Sequence, residues 1–227
     1  MKKIPYQLTR SRRRTIAIYI CPDGQVQVKA PYHCPVKLLE AFLEEKQDWV
    51  KKNRERRLQE MKDKALFSVQ AGDKLRYLGK EYTVLPGEGQ EVVFTGEAFL
   101  TPQYSWEDLK PLIVKQYIVL AEQFIPPLVE YYARQMKVAP AKVRIGTAKT
   151  RWGSCSAKGS LNFTWRLIMA PAEAVEYVVV HELAHLRQLN HSRNFWQIVA
   201  EILPNYKQRE KQLKSLQKYL EKENWEN

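Results

Sequence analysis

"HELAHLRQLNH", His181 to His191, holds three of the chain's four histidines within eleven residues. His181 and His185 are four apart, which on a helix is about 40° of rotation, so both imidazoles leave one face within reach of a single ion. Glu182, next to the first, can touch a water on that ion without ligating it. This is the HExxH arrangement of zinc hydrolases, two ligands and a general base. His191 reaches the same ion only if the helix stops, because a straight helix would carry it roughly 9 Å further along the axis and onto another face. Asn190 suits a left-handed cap that would end the first helix, and Ser192 suits the start of another. The pattern therefore predicts helix, break and helix around His181, His185 and His191, with one Zn2+ per chain and Glu182 as catalytic base. Glu201, on the second helix, is a rival third ligand.

Outward from that stretch, Pro171 fits the first turn of the first helix. The second, "RNFWQIVAEIL" (193–203), stops at Pro204, and a charged helix follows from about Tyr206. Upstream, "KVRIG" (142–146) and "GSLNFTW" (159–165) read as short strands. Ser105 and Asp108 suit a capping-box start to a long helical stretch ending at Met136, with a bend expected at Pro126-Pro127. Residues 14–30, "RTIAIYICPDGQVQVKA", alternate about a Pro22-Asp23-Gly24 turn and predict a β-hairpin. In "PVKLLEAFLEEKQDWVKKNRERRLQEM" (35–61), Leu38, Phe42, Trp49 and Leu39, Leu43, Val50 recur at helical spacing, predicting one long helix with a basic second half. Short strands broken at Gly79, Pro86-Gly87 and Gly96 come next. The composition shifts at Pro102. The expected class is α+β, with a β-rich unit and one long basic helix over 1–102 and a helical metal-binding domain over 103–227.

Lys and Arg number 37 against 25 Asp and Glu, a formal charge of +12 that favours polyanionic partners. The cations concentrate in Arg10 to Arg14 and Lys51 to Lys64, which gives nucleic acid as one expected partner. Glu55, Glu60 and Asp63 interleave with the second run, so a solvated, ion-paired helix face accounts for it equally. With 44% hydrophobic and 27% charged residues the chain has the balance of a folded protein. No apolar run approaches the roughly 20 residues of a membrane span, and the basic start "MKKIPYQLTRSRRR" has no apolar stretch behind it, unlike a secretory signal. Cys21, Cys34 and Cys155 fit neither a disulfide framework nor a CxxC site. A cytoplasmic protein that is not in a membrane is expected. His33, alone between Tyr32 and Cys34, is given no role.

Two longer segments, "RWGSCSAKGSLNFTWRLIMAP" (151–171) and "EYVVVHELAHLRQLNHSRNFW" (176–196), resemble the YgjP-like zinc metallopeptidases. The pattern of that family is an RWGSC segment, an LN strand, a proline, then YVVxHELxHLxxxNHSxxFW. Arg151 to Cys155, Leu161-Asn162, Pro171, Tyr177 to Leu186, Asn190 to Ser192 and Phe195-Trp196 match it. "DGQVQVKAP" (23–31) and "KQDWV" (46–50) extend the likeness over nearly the whole chain. The resemblance implies a zincin-like catalytic domain that takes a peptide or protein substrate, with His181, His185 and His191 on zinc and Glu182 as base. The SprT and Spartan proteases, which act on DNA-bound proteins, share a similar core. Gln188 stands where metzincins carry a glycine before their third histidine, which separates the chain from that class.

The chemistry expected is hydrolysis by a water that zinc acidifies to a pKa of about 7, with Glu182 moving its proton to the leaving amine. Tyr177, Arg151 and Tyr206 are candidates to stabilise an oxyanion, and no substrate-binding residue is assigned. In the RWGSC segment Trp152 reads as a core plug, Gly153 as a bend and Cys155 as a small buried residue. The same segment could line a cleft beside a strand that pairs with substrate. Phe195 and Trp196 read as packing for the second helix. Two other readings remain. A metal-dependent nucleotide phosphohydrolase fits the charge, but there is no Gly-rich phosphate loop. A nucleic-acid-binding module with structural zinc would need a fourth protein ligand, where the motif leaves a position open.

Overall fold

The computed structural model describes residues 4–225, and the basic start at residues 1–3 lies outside them. Contacts divide the chain after Phe67. One unit ends there and takes in Glu221–Asn224, and the other is Ser68–Leu220 with Trp225. The architecture is α+β, with six α-helices and three small sheets among the described residues.

In the first unit β1 (Tyr6–Ser11), β2 (Ala17–Ile20) and β3 (Val26–Pro31) form a sheet in the order β1-β3-β2. The expected hairpin is β2–β3, antiparallel with Ala17 opposite Lys29 and Ile20 opposite Val26. The parallel partner β1 had no signal in the sequence. Val26, Val28 and Ala30 alternate inward along β3, where Val28 and Ala30 join Cys34, Leu39 and Leu43 in the core. Arg10, the first residue of the "RSRRR" run, is structural. Its guanidinium donates to the carbonyls of Pro31, Tyr32 and Cys34 at 3.1, 2.9 and 2.8 Å.

The single helix expected over 35–61 is two helices, α1 (Val36–Glu45) and α2 (Gln47–Leu66), divided at Lys46 with φ −94° and ψ 11°. No proline or glycine marks the break, so hydrophobic spacing runs straight through it. Of the two stripes read from the sequence, Leu39, Leu43 and Val50 are buried, while Leu38 and Trp49 are exposed. Val50 is the one residue of α2 that is buried. Arg56 and Arg57 pair with Glu60, so part of the basic run is an ion-paired solvated face.

In the second unit β4 (Lys74–Tyr77), β5 (Lys80–Pro86), β6 (Val93–Phe94) and β7 (Ala98–Thr101) form a sheet in the order β4-β5-β7-β6. These strands, expected with the first hundred residues, instead cluster with the helical part. The reason is the β4–β5 turn. Leu78 and Gly79 both have positive φ, 47° and 79°, the conformation that tight hairpins require. The Leu78 N–H donates to the Ile168 carbonyl at 2.8 Å and that of Gly79 to Met169 at 3.3 Å. A β-carbon on Gly79 would lie 2.8 Å from Pro171 Cα, so the turn presses on the entrance to the histidine helix.

Ser105 caps α3 (Trp106–Met136), accepting from the Asp108 N–H at 3.4 Å while its hydroxyl donates to the Asp108 carboxylate at 2.9 Å. The helix runs through Pro111, Pro126 and Pro127 and ends at left-handed Lys137. By length and composition α3 could cross a membrane, although Lys, Glu and Gln interrupt its apolar residues. Here Leu109, Ile113, Tyr117, Leu120, Ile125 and Val129 are buried, and the helix packs on α4 (Ala172–Ala184) and on β8 (Lys142–Gly146).

The third sheet has the order β8-β10-β9, with β10 (Ser160–Thr164) central and β9 (Gly153–Cys155) at one edge. β9 was not expected as a strand; it pairs antiparallel with β10, Gly153 opposite Phe163. Leu161 and Phe163 point into the core with Trp165, Leu167 and Ile168 of the 3-10 segment Trp165–Met169. Pro171 sits at the N-cap of α4 rather than in its first turn. Behind α4 come α5 (Arg193–Ile202) and α6 (Tyr206–Leu220). Arg209 ties α6 to α4 through Glu176 at 2.5 Å and the Glu173 carbonyl at 3.0 Å.

Candidate metal centre

The last turn of α4 and the loop after it bring the three histidines together. One nitrogen from each of His181, His185 and His191 lies within 4.8 Å of the other two. Nε2 of His181 and Nε2 of His191 are 3.0 Å apart. Nδ1 of His185 is 3.1 Å from the Gln188 carbonyl. That bond places the ring proton on Nδ1 and leaves Nε2 free as a donor to metal, the outer-sphere arrangement that orients ligating imidazoles. Glu201 is outside the cluster and accepts from Gln197 at 3.4 Å.

The break that returns His191 is real, but its mechanism differs from the expected one. α4 ends at Ala184 and His185 is its cap. The chain then tightens, with the Leu186 and Arg187 N–H groups donating three residues back to Leu183 and Ala184. Asn190 is not left-handed. Its side-chain oxygen accepts instead from Gln188 Nε2 at 2.8 Å and from the Ser192 N–H at 3.3 Å, closing an Asx-type turn. Ser192 stands at the N-cap of α5, but its hydroxyl makes no cap bond.

Phe195 is the floor of the cluster. It is fully buried, and its ring centroid lies 4.9, 4.6 and 4.7 Å from those of His181, His185 and His191. Trp196 stacks between His191 and Tyr206, and Tyr206 stacks on Tyr177. The packing role expected for Phe195 and Trp196 holds, with the histidine cluster as the thing packed.

Burial, reinforced by the neighbouring His185 and His191, pushes His181 down to about 3. Burial lowers His185 as well, partly offset by the Gln188 carbonyl. Both rings therefore stay neutral near pH 7 and keep a lone pair for metal. Nδ1 of His181 is buried with no protein partner. Three imidazole nitrogens gathered at one point fit a borderline divalent cation such as zinc.

Glu182 is 6% exposed. Burial raises its carboxyl to about 7, against a smaller opposing pull from Arg151. Its side chain lies against Gly153 of β9, where a β-carbon would stand 2.7 Å from both Cγ and Oε1 of Glu182. A side chain at this position would collide with Glu182, which is a steric reason for glycine in the RWGSC segment beside the bend expected there. Trp152, Gly153, Tyr177, His181 and Glu182 line a cavity of about 320 Å³ whose far wall is Glu210, Leu213, Lys214 and Gln217 of α6. No signal in the sequence marked α6 as a wall of the site. Burial raises the Cys155 thiol, with a smaller push from Glu182, so it stays protonated and unreactive. Tyr177, also raised by burial to about 12, keeps its phenol proton.

A helix that delivers two imidazoles, a turn that returns a third and a buried carboxyl between them are the parts of a metal-dependent hydrolase. The chain belongs to the YgjP-like family, whose metallopeptidase-domain model matches residues 14–216. Among solved structures it is similar to the metallopeptidase zymogen of Pyrococcus abyssi abylysin, at 26% identity and a TM-score of 0.38, over 40% of this chain and 92% of that one. No curated protein sequence matches it significantly.

Proposed function

We propose that the protein is a zinc peptidase in which His181, His185 and His191 hold one Zn2+ and Glu182 is the general base. The observation that carries this reading is the placement of the Glu182 carboxyl, next in the chain to a histidine of the cluster and pressed against the edge strand β9. Zinc held there supplies Lewis acidity and brings the ionisation of a water down to near pH 7. Glu182 accepts the proton of the attacking water and delivers it to the departing amine.

The chain also offers a place for an extended peptide. Trp152 O and Ser156 N bond to β10 at 3.0 and 2.9 Å. By alternation the main-chain groups of Gly153 and Cys155 face the other way, toward the free edge of the sheet. A substrate strand can pair there with a side chain in the cavity against Trp152, Val178 and Leu213. A cytoplasmic location suits Cys21, Cys34 and Cys155, which are all free thiols.

The test is metal content by plasma mass spectrometry, paired with hydrolysis of an unstructured protein such as casein. About one zinc per chain is expected in both wild type and Glu182→Gln, with hydrolysis in the wild type alone. A protein that neither carries nor takes up zinc would overturn the reading.

A further inference from the structure

The strands around the metal centre carry an unusual charge distribution. Between Glu130 and Glu173 there are 42 residues with eight cations (Arg134, Lys137, Lys142, Arg144, Lys149, Arg151, Lys158 and Arg166) and no Asp or Glu. This stretch builds the whole β8-β10-β9 sheet. From Glu182 to the next carboxylate, Glu201, only cations intervene, Arg187 and Arg193. The two acidic residues at the start of α4 do not offset this charge at the sheet. Glu176 is paired with Arg209, and Glu173 lies in the first turn of α4, at the opposite end from the histidines.

Two of these charges, Lys142 and Arg144, share the outer face of β8. Val143 and Ile145 of β8 are half-buried, whereas Lys142 and Arg144 are exposed. Arg144 stands opposite Asn162, which stands opposite Ser154, so one polar row crosses the sheet from Arg144 to the edge strand. Strands lie about 4.8 Å apart, which puts the Arg144 backbone roughly 10 Å from that edge, about one Debye length, so its charge is still felt there. Lys158 is at the β9–β10 turn and Arg151 at the entrance to β9, both exposed. Among the described residues, no carboxylate makes an ion pair with Lys142, Arg144, Arg151 or Lys158.

We propose that this cationic face selects acidic polypeptide segments as the substrate of the site, drawing them to the free edge of β9. The inference rests on the peptidase reading and adds the substrate class. A peptide is favoured over nucleic acid as the occupant because the charge flanks the edge whose main-chain groups are free to pair with another strand. The outer face also offers Arg144, Asn162 and Ser154 rather than an aromatic row on which bases could stack. A basic surface attracts an acidic chain at a distance, and the strand edge then fixes its register. The α6 wall contributes no net charge, since Glu210 and Lys214 pair at 2.7 Å.

The experiment measures anisotropy of three labelled peptides of equal length, Asp/Glu-rich, uncharged and Lys-rich, and of a single-stranded oligonucleotide, on the zinc-loaded protein. The acidic peptide should bind at least about tenfold more tightly than the uncharged one and weaken steeply as salt is raised. Arg144→Glu/Lys158→Glu should abolish that preference, and the milder Arg144→Gln/Lys158→Gln should reduce it without disturbing zinc content. Equal binding of acidic and uncharged peptides, or a preference that survives charge reversal, would overturn the proposal. So would an oligonucleotide that binds through these residues when the acidic peptide does not. Mass spectrometry of the same mixtures separates the two claims. Selective binding of the acidic peptide with no cleavage by the wild type leaves the surface standing and removes the peptidase reading.

Discussion

Gly153 and Glu182 share one space: a β-carbon on the glycine would overlap the glutamate side chain at Cγ and Oε1, 2.7 Å from each. Gly153→Ala should therefore move the carboxyl while leaving the histidines untouched. Displacement of a catalytic group by about 1 Å costs roughly a hundredfold in rate. The expected result is a fall of that order in peptide hydrolysis at unchanged zinc content. Full activity in the alanine variant would show that the Glu182 position is not critical.

The buried carboxyl gives metal-free protein a distinctive pH profile. The folded state holds the Glu182 proton to about 7, against 4.5 for a free carboxyl. Its contribution to stability is therefore complete below about 4.5 and is lost as pH rises to about 7. His181, lowered to about 3 from 6.5, acts in the opposite sense and removes stability as pH falls through that range. In Glu182→Gln only the histidine effect remains. The melting temperature of this variant relative to wild type, with chelator present, should climb as pH is raised from about 4.5 to about 7. A flat or falling difference would refute a buried, proton-holding Glu182.

Zinc should stabilise the fold, since its three ligands are assembled only in the folded chain. At a hundred times its dissociation constant it adds about 2.7 kcal/mol, so a chelator should lower the melting temperature measurably. His191→Ala should weaken zinc by more than about a hundredfold, because loss of even an outer-sphere partner costs 10- to 100-fold. Phe195→Ala should do both kinds of damage. Truncating a fully buried phenylalanine costs about 3–5 kcal/mol, and here the cavity opens directly beneath the imidazoles. Calorimetric titration of zinc into each variant checks the order.

Arg209 bonds α6 to α4 through Glu176 and the Glu173 carbonyl. Arg209→Ala leaves the Glu176 carboxylate without its cation and should cost about 1.5–3 kcal/mol in urea unfolding. It should also loosen the far wall of the cavity, raising KM more than it lowers kcat. A variant with wild-type stability and KM would show that α6 is held by its apolar contacts alone.

The gathering of the three histidines was legible in the sequence because its logic is local. His181 and Glu182 sit in the last turns of one helix with His185 at its cap, and the HExxH spacing together with Asn190 and Ser192 pointed to a break before His191. What escaped was long-range. The Gln188 carbonyl that orients His185 is a main-chain group with no sequence signature. Gly153 meets Glu182 only once β9 lies over α4, and α6 becomes a cavity wall only by tertiary packing. In the fold, hydrophobic spacing found the β2–β3 hairpin but ran through Lys46, where neither glycine nor proline announces the break. The division expected at Pro102 follows a change in composition, whereas contacts group the chain with a boundary after Phe67.

The contact between the Leu78-Gly79 turn and the carbonyls of Ile168 and Met169 bears on how much of this chain is needed to assemble the histidines. A fragment beginning after Pro102 would discard the hairpin and expose two main-chain acceptors and Pro171 immediately ahead of α4. One beginning at Ser68 would retain them. The four strands are then an inseparable part of the catalytic module, and a shuffled or transplanted version of it would have to carry them along.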